Sequence, residues 1–215
     1  MTLHDLLEPL LRPAFHLGAV PTSWAELIGF ATGALNVYLV VRQNIWNWPI
    51  GAVNVIFLGL VFLDGGLYAD AALQVVYVAL QCYGWYVWMY GGAERDALPV
   101  RRTRRAEWAG VGVAGAVATA VMTWVLVAFT DSTVPFWDAV TTALSLMATY
   151  GMSRKLLESW WLWIAADLIY IPLYWHKDLH LTSVLYVLFL ALCVSGLIAW
   201  RRDLTGRAPV AETVA

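Results

Sequence analysis

Seven stretches of this chain are apolar and long enough to cross about 30 Å of hydrocarbon at about 1.5 Å per residue: 23–41, 45–63, 67–90, 106–130, 137–153, 157–175 and 180–200. Lipid offers no partner to a backbone N–H or C=O, so each stretch is expected to be a helix that satisfies its own backbone. Of the 215 residues, 61% are hydrophobic and only 13% charged, too little polar surface to coat a soluble globule of this size. The expectation is an all-α integral membrane protein with seven transmembrane helices. The fifth stretch is the shortest, with Asp138 and Arg154 close to the two interfaces.

Residues 1–22 are broken by Asp5, Glu8, Pro9, Arg12, Pro13 and Pro21 and hold no long apolar core, so they read as an interfacial segment rather than a cleavable signal. Cys82 and Cys193 fall inside different spans and read as small buried hydrophobes. His176 and His180 flank Lys177 and Asp178 in a connecting turn, a solvated setting rather than a metal site. No HExxH, GxSxG, phosphate-cradling glycine loop or triad-like set is present, so the sequence advertises no covalent chemistry, cofactor or metal, and an enzyme is not expected.

Basic residues set the expected orientation. Arg42, Arg95, Arg101, Arg102, Arg104, Arg105, Arg154, Lys155, Arg201, Arg202 and Arg207 fall on one side of seven spans, against Arg12 and Lys177 on the other. Eleven against two places the amino terminus outside and the carboxy terminus in the cytoplasm of a multi-pass plasma-membrane protein. The cluster at 101–105 then anchors topology rather than binding nucleic acid.

The chain also repeats itself. Trp24, Arg42, Trp48 and Asn54 recur 113 positions later as Trp137, Lys155, Trp161 and Asp167, and an offset of 112 pairs Gly84 with Gly196 and Trp88 with Trp200. The one-residue change is expected in the loops near 64–66 and 177–178, where deletions cost little. Three spans per copy would leave the copies facing opposite ways unless one helix lies between them. The fourth stretch, nearly all Ala, Gly, Val and Thr from Ala109 to Ala120, supplies that helix and suits close packing. The expected architecture is a 3+1+3 parallel-repeat, SWEET-like arrangement. Its parts are residues 1–22, a first bundle at 23–90, a basic loop and linker helix at 91–130, a second bundle at 131–200 and a tail at 201–215.

Chemistry concentrates on three faces. In the third span Asp70, Gln74, Tyr77, Gln81, Gly84 and Trp88 recur at steps of four and three, one helical face that should meet protein or a cavity rather than lipid. The corresponding face of the seventh span reads Thr182, Tyr186, Phe189, Cys193, Gly196 and Trp200, with the glutamines gone. An asymmetric ligand needs different groups on its two sides, although glutamines that merely join helices by hydrogen bonds would give the same stripe. Asn54 and Asp167 sit near mid-depth, with no Lys or Arg at matching depth in any span. Asp167 therefore stays protonated or meets a cation from outside the chain. Trp48, Trp161 and Trp163 approach that level and could present faces to a flat or cationic ligand, whereas Trp46, Trp160 and Trp175 read as interfacial belt residues. Pro49 and Pro172 mark local bends.

These residues carry a resemblance. The stretch Trp46-Asn47-Trp48-Pro49 followed by Asn54, the run from Leu67 through Asp70 and Gln74 to Tyr77, the Tyr83-Gly84-Trp85 triplet, and the later Trp160 to Asp167, Leu173-Tyr174 and Leu185-Tyr186 segments closely resemble the PnuC family of transporters of vitamin B3 precursors, over roughly residues 24–200. The resemblance implies a SWEET-like fold, homotrimers, and facilitated diffusion of nicotinamide riboside retained by cytoplasmic phosphorylation, with thiamine or another B vitamin, or proton coupling through Asp167, as alternatives. The expected binding set is Trp48, Asn54, Gln74, Tyr77, Gln81, Trp161, Trp163, Asp167 and Tyr186, with the lipid bilayer as the other partner. The extra amino-terminal span of some relatives is absent from this sequence.

Overall fold

The computed structural model describes residues 2–17, 20–66, 68–92, 96–130, 133–176 and 180–206. Arg95, Lys177, Asp178 and Arg207 lie outside them, as does the tail beyond Gly206.

Helices occupy all seven apolar stretches: α2 (Trp24–Val41), α3 (Asn47–Asp64), α4 (Tyr68–Tyr90), α5 (Arg105–Phe129), α6 (Pro135–Ser153), α7 (Ser159–His176) and α8 (His180–Gly206). Their starts fall within two residues of the apolar boundaries because local chemistry marks them. Ser23 and Glu26 form a capping box on α2, Pro135 occupies the first turn of α6, and at the start of α5 the Arg104 N–H donates to Glu107 Oε2 at 2.8 Å. α2, α3, α5 and the Thr182–Gly206 part of α8 are long and apolar enough to cross a membrane. α4, α6 and α7 carry the polar and aromatic side chains that make them less apolar. α8 runs past residue 200 through Arg201 and Arg202, into what the sequence suggested was tail.

Two elements lie before α2, and the second departs from the all-α expectation. Residues 3–11 form a short helix, α1 (Leu3–Leu11), and β1 (Pro13–Leu17) pairs with β2 (Val20–Ser23) in an antiparallel hairpin. Pro13 and Pro21 cannot continue a helix, so the backbone there finds partners across a hairpin instead. α1 buries Leu7 and packs against α2 and α3. His4 Nδ1 lies 3.0 Å from an Asp64 carboxylate oxygen at the end of α3. That hydrogen bond, then the Asp64 charge, raises the His4 pKa above its ordinary 6.5. The contact contributes fully below about 6.5 and is lost as pH rises through the raised value. Limited proteolysis is expected to cut near α1 faster at alkaline pH in the wild type, whereas His4→Ala is expected to be cut equally fast across that window.

The long helices close into a ring. α2 packs on α3, α3 on α4, α4 on α6, α6 on α7, α7 on α8, and α8 returns to α2, while α5 packs outside against α6. Exchanging α2, α3 and α4 with α6, α7 and α8 maps this contact pattern onto itself. The register of the exchange is 112 throughout, which corrects the 113 offset read in the first two helices. α3 and α7 are both 18 residues and start 112 apart, as do α4 and α8, so no residue drops out of the loops near 65 and 178.

The 112 relation extends to the turns. Gln43 and Lys155 follow α2 and α6 with φ of 50° and 48°, a left-handed backbone that costs a side-chain-bearing residue about 1 kcal/mol. Each reverses its chain into the next helix, and Lys155 Nζ donates to Gln43 Oε1 at 3.2 Å. Around them lies one basic end of the ring. The 96–104 segment docks there through Arg101 N to Lys155 O at 3.1 Å and Leu157 N to Arg101 O at 2.9 Å. Arg101 bridges to Glu107 at 2.6 Å, which raises the arginine's pKa further.

Candidate functional site

Inside the ring is a cavity of about 350 Å³, within the size range of small-molecule sites. Most of its wall is built from pairs related by 112. Gly33 matches Ser145, Val55 matches Asp167, Leu58 matches Tyr170, Gln74 matches Tyr186, Tyr77 matches Phe189 and Gln81 matches Cys193. Each pair sits at equivalent points of equivalent helices yet carries different chemistry. The two halves share a backbone plan and diverge where a solute would touch.

Four tryptophans make the floor, at the Gln43 end. Trp48 stands edge-on to Trp88 with centroids 5.3 Å apart, Trp160 edge-on to Trp200 at 5.4 Å, and Trp88 meets Trp200 at 6.1 Å. Trp48 lies against Gly84 and Trp160 against Gly196, so closely that a Cβ on either glycine would overlap an indole. The halves then lock reciprocally. Trp88 Nε1 donates to Met152 O at 2.9 Å, and Trp200 Nε1 donates to Val40 O at 3.1 Å. Lys155 Nζ lies 4.3 Å from the Trp88 ring centroid, beneath the floor. Toward the opposite end Tyr170, Tyr174 and Tyr186, all from one half, cluster with ring centroids 4.6 to 5.5 Å apart, and Tyr170 and Tyr186 line the cavity.

Of the residues expected to bind ligand, Trp48, Asn54, Gln74, Tyr77, Gln81, Trp163, Asp167 and Tyr186 line this cavity, and Trp161 does not. Trp161 is 56% exposed on the outside of α7, while its neighbour Trp160 is 1% exposed and faces in. The tandem pair hid this, because either indole can be matched to Trp48. Under the 112 register Trp48 corresponds to Trp160, Asn54 to Ala166 and Asp167 to Val55, so the Asn54–Asp167 pairing is also one residue out. Cys82 is exposed rather than buried, whereas Cys193 is buried in the wall.

Asn54 has a structural duty. Its Nδ2 donates to Gly29 O at 2.9 Å and to Thr32 Oγ1 at 2.6 Å, tying α3 to α2 at mid-depth. Its oxygen remains as an acceptor. The glutamines lie where α3 gives them room: Gln81 packs over Gly51 and Gln74 over Gly59.

The sequence reading missed Asn36, Ser145, Thr149, Trp160 and Tyr170, all of which line the cavity. The hydroxyls had a readable signal, since Thr141, Ser145 and Thr149 recur every four residues along α6.

Five buried polar atoms of the wall have no protein partner: the acceptors Asn36 Oδ1, Gln81 Oε1 and Asp167 Oδ2, and the donors Trp48 Nε1 and Trp160 Nε1. A buried unpaired polar atom costs about 1–3 kcal/mol. Five around one cavity mark it as a place for a polar solute. Among the described residues no Lys or Arg lines the cavity, so Asp167 presents its carboxyl group there with no described cation beside it.

A ring of helices, several of them long and apolar enough to cross a membrane, around a cavity that sets a few polar groups in a largely apolar wall fits a membrane transporter for a small solute. The chain belongs to the nicotinamide mononucleotide transporter family, whose model matches residues 23–202. It is 27% identical to the nicotinamide riboside transporter PnuC of Escherichia coli over 208 residues, covering 85% of this chain and 87% of that protein. It is 30% identical to the riboflavin/roseoflavin transporter RibM of Streptomyces davaonensis over 188 residues, covering 84% and 87%. The crystal structure of the vitamin B3 transporter PnuC superposes with a TM-score of 0.67 at 26% identity, over 85% of this chain and 83% of that one.

Proposed function

We propose that this protein carries nicotinamide riboside across the plasma membrane by facilitated diffusion, with cytoplasmic phosphorylation retaining the product. The observation that carries this reading is Asp167, a carboxyl group without a basic partner in a cavity that also offers Gln74, Gln81 and indole faces. A pyridinium riboside brings the missing cation, a flat ring for Trp48 or Trp163, and a carboxamide and hydroxyls for the amides. Trp160 takes the place first given to Trp161. The same wall argues against the mononucleotide of the family's name, whose phosphate would meet acceptors and an acid with no Lys or Arg to bind it.

The exchange symmetry of the ring supports a 3+1+3, SWEET-like parallel repeat, with α5 linking the bundles at 23–90 and 131–200. Clustering of Arg42, Arg101, Arg102, Arg154, Arg201 and Arg202 at the Gln43 end supports a cytoplasmic carboxy terminus and an outside amino terminus. The bare Ala, Gly and Val face of α5, from Ala109 to Val121, supports assembly of copies as a homotrimer. Access alternates as the bundles rock, parting the tyrosine cluster and the tryptophan floor in turn.

The 30% identity to RibM favours one second reading, a flavin as cargo. Riboflavin is neutral and larger, and gives Asp167 no cation. Uptake of labelled nicotinamide riboside into proteoliposomes lacking any ion gradient tests the proposal. Equilibration without a gradient, with counterflow exchange, is expected. Strict dependence on an imposed proton gradient would make Asp167 a proton carrier, and binding without counterflow would make the protein a receptor.

A further inference from the structure

The hydroxyls of α6 have no counterpart in the other half. Ser145 and Thr149 correspond under the 112 register to Gly33 and Val37, so one bundle lines the cavity with hydroxyls where the other offers none. Ser145 Oγ donates to Thr141 O at 2.8 Å, and Thr149 Oγ1 donates to Ser145 O at 2.7 Å. With their protons committed inside the helix, both oxygens act as acceptors in the cavity wall, Ser145 Oγ in company with the neighbouring Tyr77 and Tyr170 hydroxyls and Thr149 Oγ1 beside it. Both side chains are buried, where a hydrogen bond is gained without competition from bulk water.

Independent atoms point to the same kind of ligand. Gln81 Oε1, in a side chain 7% exposed, and Asp167 Oδ2, in one 2% exposed, are unpartnered acceptors in the same wall. α4, which carries Gln81, packs directly on α6. The Asn54 amide hydrogens are likewise turned to backbone and Thr32, leaving its oxygen free to accept. Beside the two unpartnered indole donors of Trp48 and Trp160, the wall therefore holds a larger set of acceptors, and it fits a solute that brings several O–H donors.

We infer that Ser145 and Thr149 are specificity-determining residues that accept hydrogen bonds from the hydroxyls of a sugar or sugar-alcohol chain on the ligand. They select a heteroaromatic ring bearing such a chain over the free ring. The inference deepens the riboside reading and rests on it.

Calorimetry on the purified full-length protein, with nicotinamide riboside and its 2′,3′-dideoxy analogue, tests it. Ser145→Ala and Thr149→Val are each expected to weaken riboside binding roughly five-fold. Both are expected to leave the weaker binding of the dideoxy analogue unchanged. Thr149→Ser, which keeps the hydroxyl, is expected to bind like the wild type, and matching thermal unfolding curves establish that the variants fold. Equal weakening for both ligands, or none for either, overturns the inference while the riboside reading stands. A wild-type protein that binds no riboside overturns that reading instead. Riboflavin and its analogue lacking the ribityl chain then replace the pair, and variants that fail to separate those two overturn the inference as well.

Discussion

Asp167→Ala is expected to weaken nicotinamide riboside binding at least about 30-fold, because removing one partner of a buried charge pair costs about 2–5 kcal/mol. The loss should be specific to the loaded state. Without ligand, Asp167 Oδ2 has no protein partner and the side chain is 2% exposed, so the free protein gives up no hydrogen bond at that oxygen. Thermal unfolding of the unliganded variant is therefore expected close to the wild-type temperature, since the carboxyl group's protein contact is the weak one with the Cys193 thiol. Asp167→Asn keeps an acceptor and loses the charge, and should fall between the two in affinity. Gln74→Ala removes a neutral partner and is expected to cost less, about 1–2 kcal/mol. Unchanged affinity in both Asp167→Ala and Gln74→Ala would move the site out of the central cavity.

The second large effect concerns folding. Gly84→Ala and Gly196→Ala would each drive a methyl into an indole, Trp48 in one case and Trp160 in the other. Neither indole can yield easily, because each stands edge-on to a tryptophan that is itself hydrogen-bonded to the opposite half. Overpacking of this kind costs about 1–3 kcal/mol, and here it also disturbs the contact between the halves. Both variants are expected to unfold at clearly lower temperature in detergent, followed by tryptophan fluorescence. Gly112→Ala on α5 and Gly206→Ala on α8, where an added Cβ meets nothing within 4 Å, are the controls and should lose no stability. Equal behaviour of the four variants would contradict the floor's packing.

The difference between those glycine pairs explains much of what the sequence could and could not tell. Helix positions were legible because spanning length, the Ser23–Glu26 cap and Pro135 act locally. The inward face of α4 was legible because Gln74, Tyr77 and Gln81 recur at helical spacing amid apolar residues. The register of the second half was not. Adjacent Trp160 and Trp161 each match Trp48, and the chemical likeness of Asn54 to Asp167 favoured the wrong one. One residue along a helix is a rotation of about 100°, enough to turn Trp161 outward and bring Trp160 in. Gln43 and Lys155, alike in backbone but not in side chain, hold the true 112 register, a relation visible only in φ. The hairpin at 13–23 escaped notice because two short strands broken by prolines leave little periodic signal.

The likeness between the halves is uneven. Gly84 and Gly196, Trp88 and Trp200, and the two left-handed turns are alike where the ring closes. Gly33 against Ser145, Val55 against Asp167 and Gln81 against Cys193 differ on the cavity wall, where the proposed solute would lie.

A competition between closely related ligands tests the central claim most directly: calorimetric titration of the purified protein with nicotinamide riboside, nicotinamide mononucleotide and riboflavin under one set of conditions. The cavity's unpaired acid, its acceptor-rich wall and its lack of Lys and Arg predict tight binding of the riboside, weaker binding of riboflavin and no measurable binding of the mononucleotide. Binding of the mononucleotide as tight as that of the riboside would contradict the account, because nothing in the described wall could neutralise its phosphate.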